Sequence, residues 1–251
     1  MTKNYLKLNE EKTEILIISK RASTTPGQTQ VGSIDIGGHA IVPATHVRNL
    51  GVLIDSSAKM DKQISNVCKG AFSVLRQISR HRSYLSDDAA ATLVISLVTS
   101  KLDYCNSLLY GLPQNLLSKL ERVQNSAARL VCRKSKHDHI TQTLIHLHWL
   151  PIRERIEYKI LLITFKALNG LAPNYLACLL HWYTPGRALR SSDSKQLFVP
   201  KTKLIQYGDR AFHYCAPFLW NKLPLELRGT TSISVFKRCL KTHLFRKAYN
   251  L

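Results

Sequence analysis

The chain has 251 residues, 45% of them hydrophobic, and carries 36 Lys and Arg against 16 Asp and Glu, a formal net charge of +20. This apolar fraction excludes a bulk-disordered chain, and the length suits one large domain or two small ones. So large a positive surplus (pI ≈ 9.9) repels itself unless a polyanion is near, which ranks nucleic acid first among partners and an acidic membrane surface second.

In chain order, Thr13 to Ser19 is a β-branched run that reads as a strand. Arg21 to Gln30, with Pro26-Gly27, reads as a polar loop. Ser33-Ile34-Asp35-Ile36 and His39-Ala40-Ile41-Val42 flank Gly37-Gly38. A two-residue glycine loop between such runs predicts a β-hairpin, because both central positions need positive φ. Leu50, Val52 and Ile54 alternate, which predicts a third strand with one buried face.

From Ser57 onward the period becomes helical. Ile64, Val67, Ala71, Leu75 and Ile78 step by three and four. Ser86 is an N-cap, with Asp87 and Asp88 at the positive end of the helix that carries Leu93, Val94, Leu97 and Val98. Pro113 sits in the first turn of a helix bearing Leu116, Leu120, Val123, Ala127 and Leu130. Pro151 opens another through Ile156, Ile160 and Ile163, which stops at Asn169-Gly170. Thr184 to Lys203 reads as a basic connector with one strand at Leu197-Phe198-Val199. Two last helices are expected over Asp209 to Asn221 and Ser232 to Lys247, the second capped by Ser232 or Thr231.

Six cysteines at 68, 105, 132, 178, 215 and 239 form no C-x-x-C pair, so they read as buried thiols in a reducing, intracellular compartment, cytoplasmic or nuclear. The polar start Met1-Thr2-Lys3-Asn4-Tyr5 argues against a secretory leader, and no run approaches the ~18 apolar residues that span a bilayer, so no membrane partner is expected. His137-x-His139 and His146-x-His148 are weak metal candidates, since an i, i+2 pair on a helix diverges and only Cys132 is near. There is no nucleophile elbow for a hydrolase and no phosphate-binding G-x-x-x-x-G-K-[ST] loop. No metal or other cofactor is expected. The strongest candidate site is the helix after Pro113, where Lys119, Arg122, Arg129 and Arg133 share one face beside the apolar stripe. Guanidinium and ammonium groups on such a face suit phosphate contact, and a merely solvated face is the other reading. Lys237, Arg238, Lys241, Arg246 and Lys247 form a second basic cluster, read first as an ordinary charged terminal helix.

Asn4-Tyr5-Leu6-Lys7-Leu8-Asn9-Glu10-Glu11-Lys12-Thr13-Glu14 resembles the N-x-L-K-L-N-x-x-K-T-E segment that follows the catalytic Asp-Asp turn in LINE-type (non-LTR retrotransposon) reverse transcriptases. Val47-Arg48-Asn49-Leu50-Gly51-Val52-Leu53-Ile54-Asp55 resembles their primer-grip strand. Leu102 to Gly111 (LDYCNSLLYG), Gln124 to Arg129 (QNSAAR), Leu147 to Arg153 (LHWLPIR), Gly208 to Phe212 (GDRAF) and Leu219 to Pro224 (LWNKLP) resemble segments of the chicken-repeat and Jockey-like branch. The matches run in order along essentially the whole chain.

The resemblance implies an α+β, mostly helical fold: a small antiparallel remnant of a polymerase palm over 1–56, a thumb-like helical region over 57–150, and a helical C-terminal region over 151–251 with a basic connector at 184–203. It also implies that Leu50 and Gly51 lie against a primer end, and that Lys12 is a candidate proton donor to pyrophosphate; without the rest of that site, Lys12 reads first as an exposed lysine at the start of a strand. The family's Tyr/Phe-x-Asp-Asp turn is absent, and the one Asp-Asp, Asp87-Asp88, opens a helix. Catalytic carboxylates would hold two metal ions, so magnesium is implied only for an intact parent enzyme. The expected function is sequence-independent binding of RNA, DNA or their hybrid by a piece of a reverse transcriptase, which would pair with the missing polymerase portion or with itself through exposed strands. The competing expectation is a decayed transposon reading frame, partly folded or aggregation-prone.

Overall fold

The computed structural model describes residues 9, 12–18, 32–36, 38–185, 195–204 and 207–251. The expected loop at Arg21–Gln30, the segment Asn4–Leu8 and the connector residues Arg187 and Arg190 lie outside them. The fold is mostly helical with two small antiparallel sheets. The chain divides into two compact units, Met1–Asn66 and Val67–Leu251.

In the first unit, β1 (Ile34–Ile36) and β2 (His39–Ile41) form the expected hairpin, with Ile34 opposite Ile41 and Ile36 opposite His39. Gly38 has φ +88°, and the Asp35 carboxylate accepts its N–H at 2.9 Å. A second hairpin joins β3 (His46–Asn49) to β4 (Val52–Asp55). Leu50 (φ 47°) and Gly51 (φ 84°) make its two-residue turn, both left-handed, which matches the right-handed strand twist. This corrects the reading of 47–55 as a single strand. Leu50 is the turn tip, 85% exposed, and the buried face begins at Val52. The strand expected over Thr13–Ser19 is likewise reduced to one bridge between Leu16 and Ala44 among the described residues. Pro43 has no N–H and so ends any ladder beside Ala44.

Asp55 closes this unit's last turn. Its carboxylate accepts the Ser57 hydroxyl at 2.7 Å and the backbone N–H groups of Ser57, Lys59 and Met60 at 3.1, 3.0 and 2.7 Å. Burial pushes its pKa up, but these donors outweigh it and hold the carboxyl below its ordinary range. Helix α1 (Asp61–Arg80) follows, and the division between the units falls within it.

The second unit contains α2 (Asp87–Val94), α3 (Ser100–Asp103), α4 (Gln114–Val131), α5 (Ile140–His146), α6 (Ile152–Leu168), α7 (Asn174–Ala177), α8 (Phe212–Asn221), α9 (Leu225–Gly229) and α10 (Ile233–Tyr249). Ser86 caps α2 as expected, accepting from Ala89 N at 3.2 Å. A π-helical turn, Ile95–Thr99, links α2 to α3. Hydroxyls of Thr92 and Ser96 bond the carbonyls four residues back, a pattern that bends and loosens helices. Pro113 and Pro151 stand just before α4 and α6 rather than inside them, where their extended backbone sets the first turn.

Helix α6 is the centre of this unit, packing on α4, α7, α8 and α10. It therefore buries more than one stripe: Ile156, Ile160, Leu161, Thr164 and Phe165, whereas Ile163 of the expected stripe is half-buried. Phe165 stacks on Phe236 of α10 with ring centroids 4.2 Å apart, and Trp220 of α8 tilts against the same ring. Each such burial is worth about 1.5–3 kcal/mol. Leu197 bridges Trp182 and is buried, but among the described residues the pair makes a single bridge rather than a strand. Ser232 precedes α10 without capping it, its hydroxyl lying 3.0 Å from that of Ser234. Of the six thiols only Cys215 is buried and Cys178 is exposed, which corrects the expectation of six buried cysteines. Among the described residues no helix is long and apolar enough to cross a membrane.

Candidate nucleic-acid interface

The apolar stripe of α4, Leu116, Leu117, Leu120, Val123, Ala127 and Val131, is buried, which fixes the helix and turns the basic residues outward. Arg122 is exposed and Lys119 half-buried. Lys119 lies near enough to Cys68 to oppose the rise that burial imposes on that thiol. Both lie within α4, beside its buried stripe.

The other two residues are placed differently. The Arg129 guanidinium donates to the Asp138 carbonyl at 3.2 Å, and its Nε is buried without a hydrogen-bond partner. Arg133 is not on the helix at all. Helix α4 ends at Val131, and Arg133 adopts φ 52° in the turn beyond. Its Nε lies 3.3 Å from the Asp87 carboxylate and its Nη2 donates to Leu85 O at 3.1 Å. The helical period therefore carried the expected face one turn too far.

The organiser of this end is Arg82, which sequence reading did not single out. It is buried and donates to Leu130 O at 2.8 Å and Val131 O at 2.7 Å, the unpaired carbonyls at the C-terminus of α4. It also donates to Leu85 O at 2.8 Å and forms a close ion pair with Asp87. The hydrogen bonds from Arg82, and then from Arg133, hold the Asp87 carboxyl below its ordinary range.

Segments quoted for the family resemblance bond to one another and to Arg155, two residues beyond one of them. Asp103 pairs with Arg155 at 2.9 Å, and Arg155 also donates to Leu150 O at 2.9 Å. Gln124, buried, donates to the same Leu150 carbonyl at 2.7 Å. Arg210 donates to Tyr110 O at 3.1 Å and Leu108 O at 3.2 Å. Nothing local in the sequence signals these pairs, whose partners lie far apart in the chain.

In the first unit Leu50 and Gly51 are exposed at their turn tip. Lys12 is exposed in a turn where its N–H meets Asn9 O at 3.3 Å and Asn9 Oδ1 at 3.1 Å. His148 (φ 53°) stacks beside Phe245 at 5.8 Å, and no three His, Cys, Asp or Glu side chains converge as metal ligands among the described residues. Lys237, Arg238, Lys241, Arg246 and Lys247 are exposed on α10, and Lys247 pairs with Glu157 of α6 at 2.8 Å. No protein-family model matches the chain, and neither does any curated protein or solved structure.

Proposed function

We propose that the chain is the C-terminal part of a LINE-type reverse transcriptase that binds nucleic-acid backbones without reading sequence. In this reading residues 1–56 are the end of a polymerase palm, with Leu50 and Gly51 toward a primer end, residues 57–150 are thumb-like, and 151–251 are the helical C-terminal region. The observation that carries the reading is the ordered run of family-like segments from Asn4 to Pro224, joined to a net charge of +20. On its own the chain polymerises nothing, because two-metal chemistry needs the upstream carboxylates. The cross-bonds among Asp103, Arg155, Gln124 and Arg210 favour an intact fold over a decayed reading frame.

The contact surface in this reading is the outward face of α4. Lys119 and Arg122 are the phosphate ligands, while Arg129 is engaged with the Asp138 carbonyl and Arg133 with Asp87 and the Leu85 carbonyl. Each neutralised phosphate contributes about −0.9 to the slope of log affinity against log salt on duplex DNA. Changing Lys119 and Arg122 together to Ala should flatten that slope by about 1.8 and weaken unrelated duplexes equally. A folded double variant that keeps the full slope removes this face from the proposal.

A further inference from the structure

A second surface of the Val67–Leu251 unit carries features that the α4 face lacks. Trp182 and Phe198 are 51% and 50% exposed, and Tyr183 is also exposed. Isolated exposed aromatics are ordinary. These are not isolated, because the two segments that bear them are tied together. Tyr183 N donates to Gln196 O at 2.9 Å and Phe198 N to His181 O at 2.8 Å, framing the Trp182–Leu197 bridge.

The bridge is also anchored from below. Buried Leu197 is held on both backbone groups by the Asn221 side-chain amide, each at 2.8 Å, so Asn221 acts as a neighbouring strand would. Trp220 Nε1 donates to Lys195 O at 3.0 Å. The exposed rings therefore stand on a fixed backbone. Trp182, Tyr183, Lys195 and Gln196 line one cleft of about 580 Å3, which puts an ammonium group, aromatic rings and an amide around one concavity.

We infer that this cleft is a stacking site for unpaired nucleotides of a single strand, with Trp182 or Tyr183 taking the base and Lys195 the phosphate. The inference rests on reading the chain as a nucleic-acid binder and adds a substrate class to it. Base faces are free only outside a duplex, and stacking on an aromatic ring tolerates any base. A ring held in place loses little entropy when a base lands on it. The charge at the cleft is suited to a polyanion, since Arg228 lines it beside Lys195.

The test uses the full chain and labelled oligonucleotides of one length, as a single strand and as a duplex, with RNA and DNA single strands in separate arms. Of the three tryptophans, Trp149 and Trp220 are buried, so acrylamide quenching reports Trp182. A bound single strand should protect that fluorescence. Changing Trp182 and Tyr183 together to Ala should weaken single strands by about five- to 150-fold per base unstacked and leave duplex affinity unchanged. Trp182→Phe should keep most of the single-strand affinity, which a mere loss of folding would not allow. The inference is overturned if the double variant binds single strands as the parent does, if both forms weaken alike, or if the parent binds duplex but no single strand. Binding of neither form by the parent overturns the wider nucleic-acid reading and this inference with it.

Discussion

The guanidinium of Arg82 donates to the carbonyl of Val131 at 2.7 Å across 49 positions of sequence. One side chain thereby meets orphan carbonyls of α4 and fixes the end of the helix that carries Arg129 and precedes Arg133. Arg82→Ala would leave the carbonyls of Leu85, Leu130 and Val131 without this donor. We expect a loss of about 2–4 kcal/mol in urea unfolding, with Arg122→Ala nearly neutral in the same measurement.

Asp87 supplies a pH signature for the same corner. Its folded pKa lies below the ordinary 3.8. The stabilisation is therefore fully present above 3.8 and is lost as pH falls through the lower folded value. Thermal melts recorded downward from about pH 5 should show this limb, and Asp87→Asn should flatten it. An unchanged limb in the variant would assign the acid sensitivity elsewhere, with Asp55 as the next carboxylate to replace.

Gly111 and Gly70 should respond oppositely to alanine. Gly111 has φ +69°, and an added Cβ would lie 2.8 Å from Arg210 Cγ, on a side chain already committed to Tyr110 and Leu108. Gly111→Ala should cost about 1–3 kcal/mol. Gly70 lies inside α1 with nothing within 4 Å of its added Cβ, so Gly70→Ala should stabilise by about 0.5–1 kcal/mol.

Thiol labelling should rank the cysteines by burial. Cys215 is buried, which pushes its pKa up to about 12, so it reacts only on unfolding. Cys178 is exposed and should react first with an aromatic disulfide reagent in the native protein. Prompt labelling of Cys215 would contradict the packing of α8.

Hydrogen exchange should separate the β1–β2 hairpin from α6. The hairpin's residues are exposed or half-buried, and a two-stranded hairpin is marginal by itself. Its amides should exchange orders of magnitude faster than those of Ile160 and Leu161. Equal protection would mean that another chain covers the hairpin.

What could be read in advance was whatever local chemistry decides. The Ser86 cap, the first hairpin and the starts after Pro113 and Pro151 each depend on a few adjacent residues. Leu50 misled because alternation counts apolar side chains and is blind to backbone sign; only Gly51 hinted at the turn. Arg133 misled because helical phase continues on paper past a helix that has ended, and neither Cys132 nor Arg133 is a usual stop residue. Arg82, Arg155 and Arg210 were invisible for a different reason. Each acts on carbonyls or carboxylates brought near by tertiary packing, and a lone arginine carries no mark of its partner.

The π-helical turn at Ile95–Thr99 lets this segment hold one residue more than a regular helix would. Val94, Val98 and Leu102 are all buried at strict steps of four, while Ile95 and Leu97 between them are exposed. In ordinary α geometry a step of four drifts by about 40° around the axis, and a wider turn absorbs that drift. Removing a single residue such as Ser96 would leave a regular helix and every apolar side chain intact. The regular helix would keep Asp103 near its present phase about the axis, toward Arg155, its partner at 2.9 Å. The wide turn is therefore slack in the helix, and a one-residue deletion within it should do less damage than the same deletion in α4, where every later side chain would turn by about 100°.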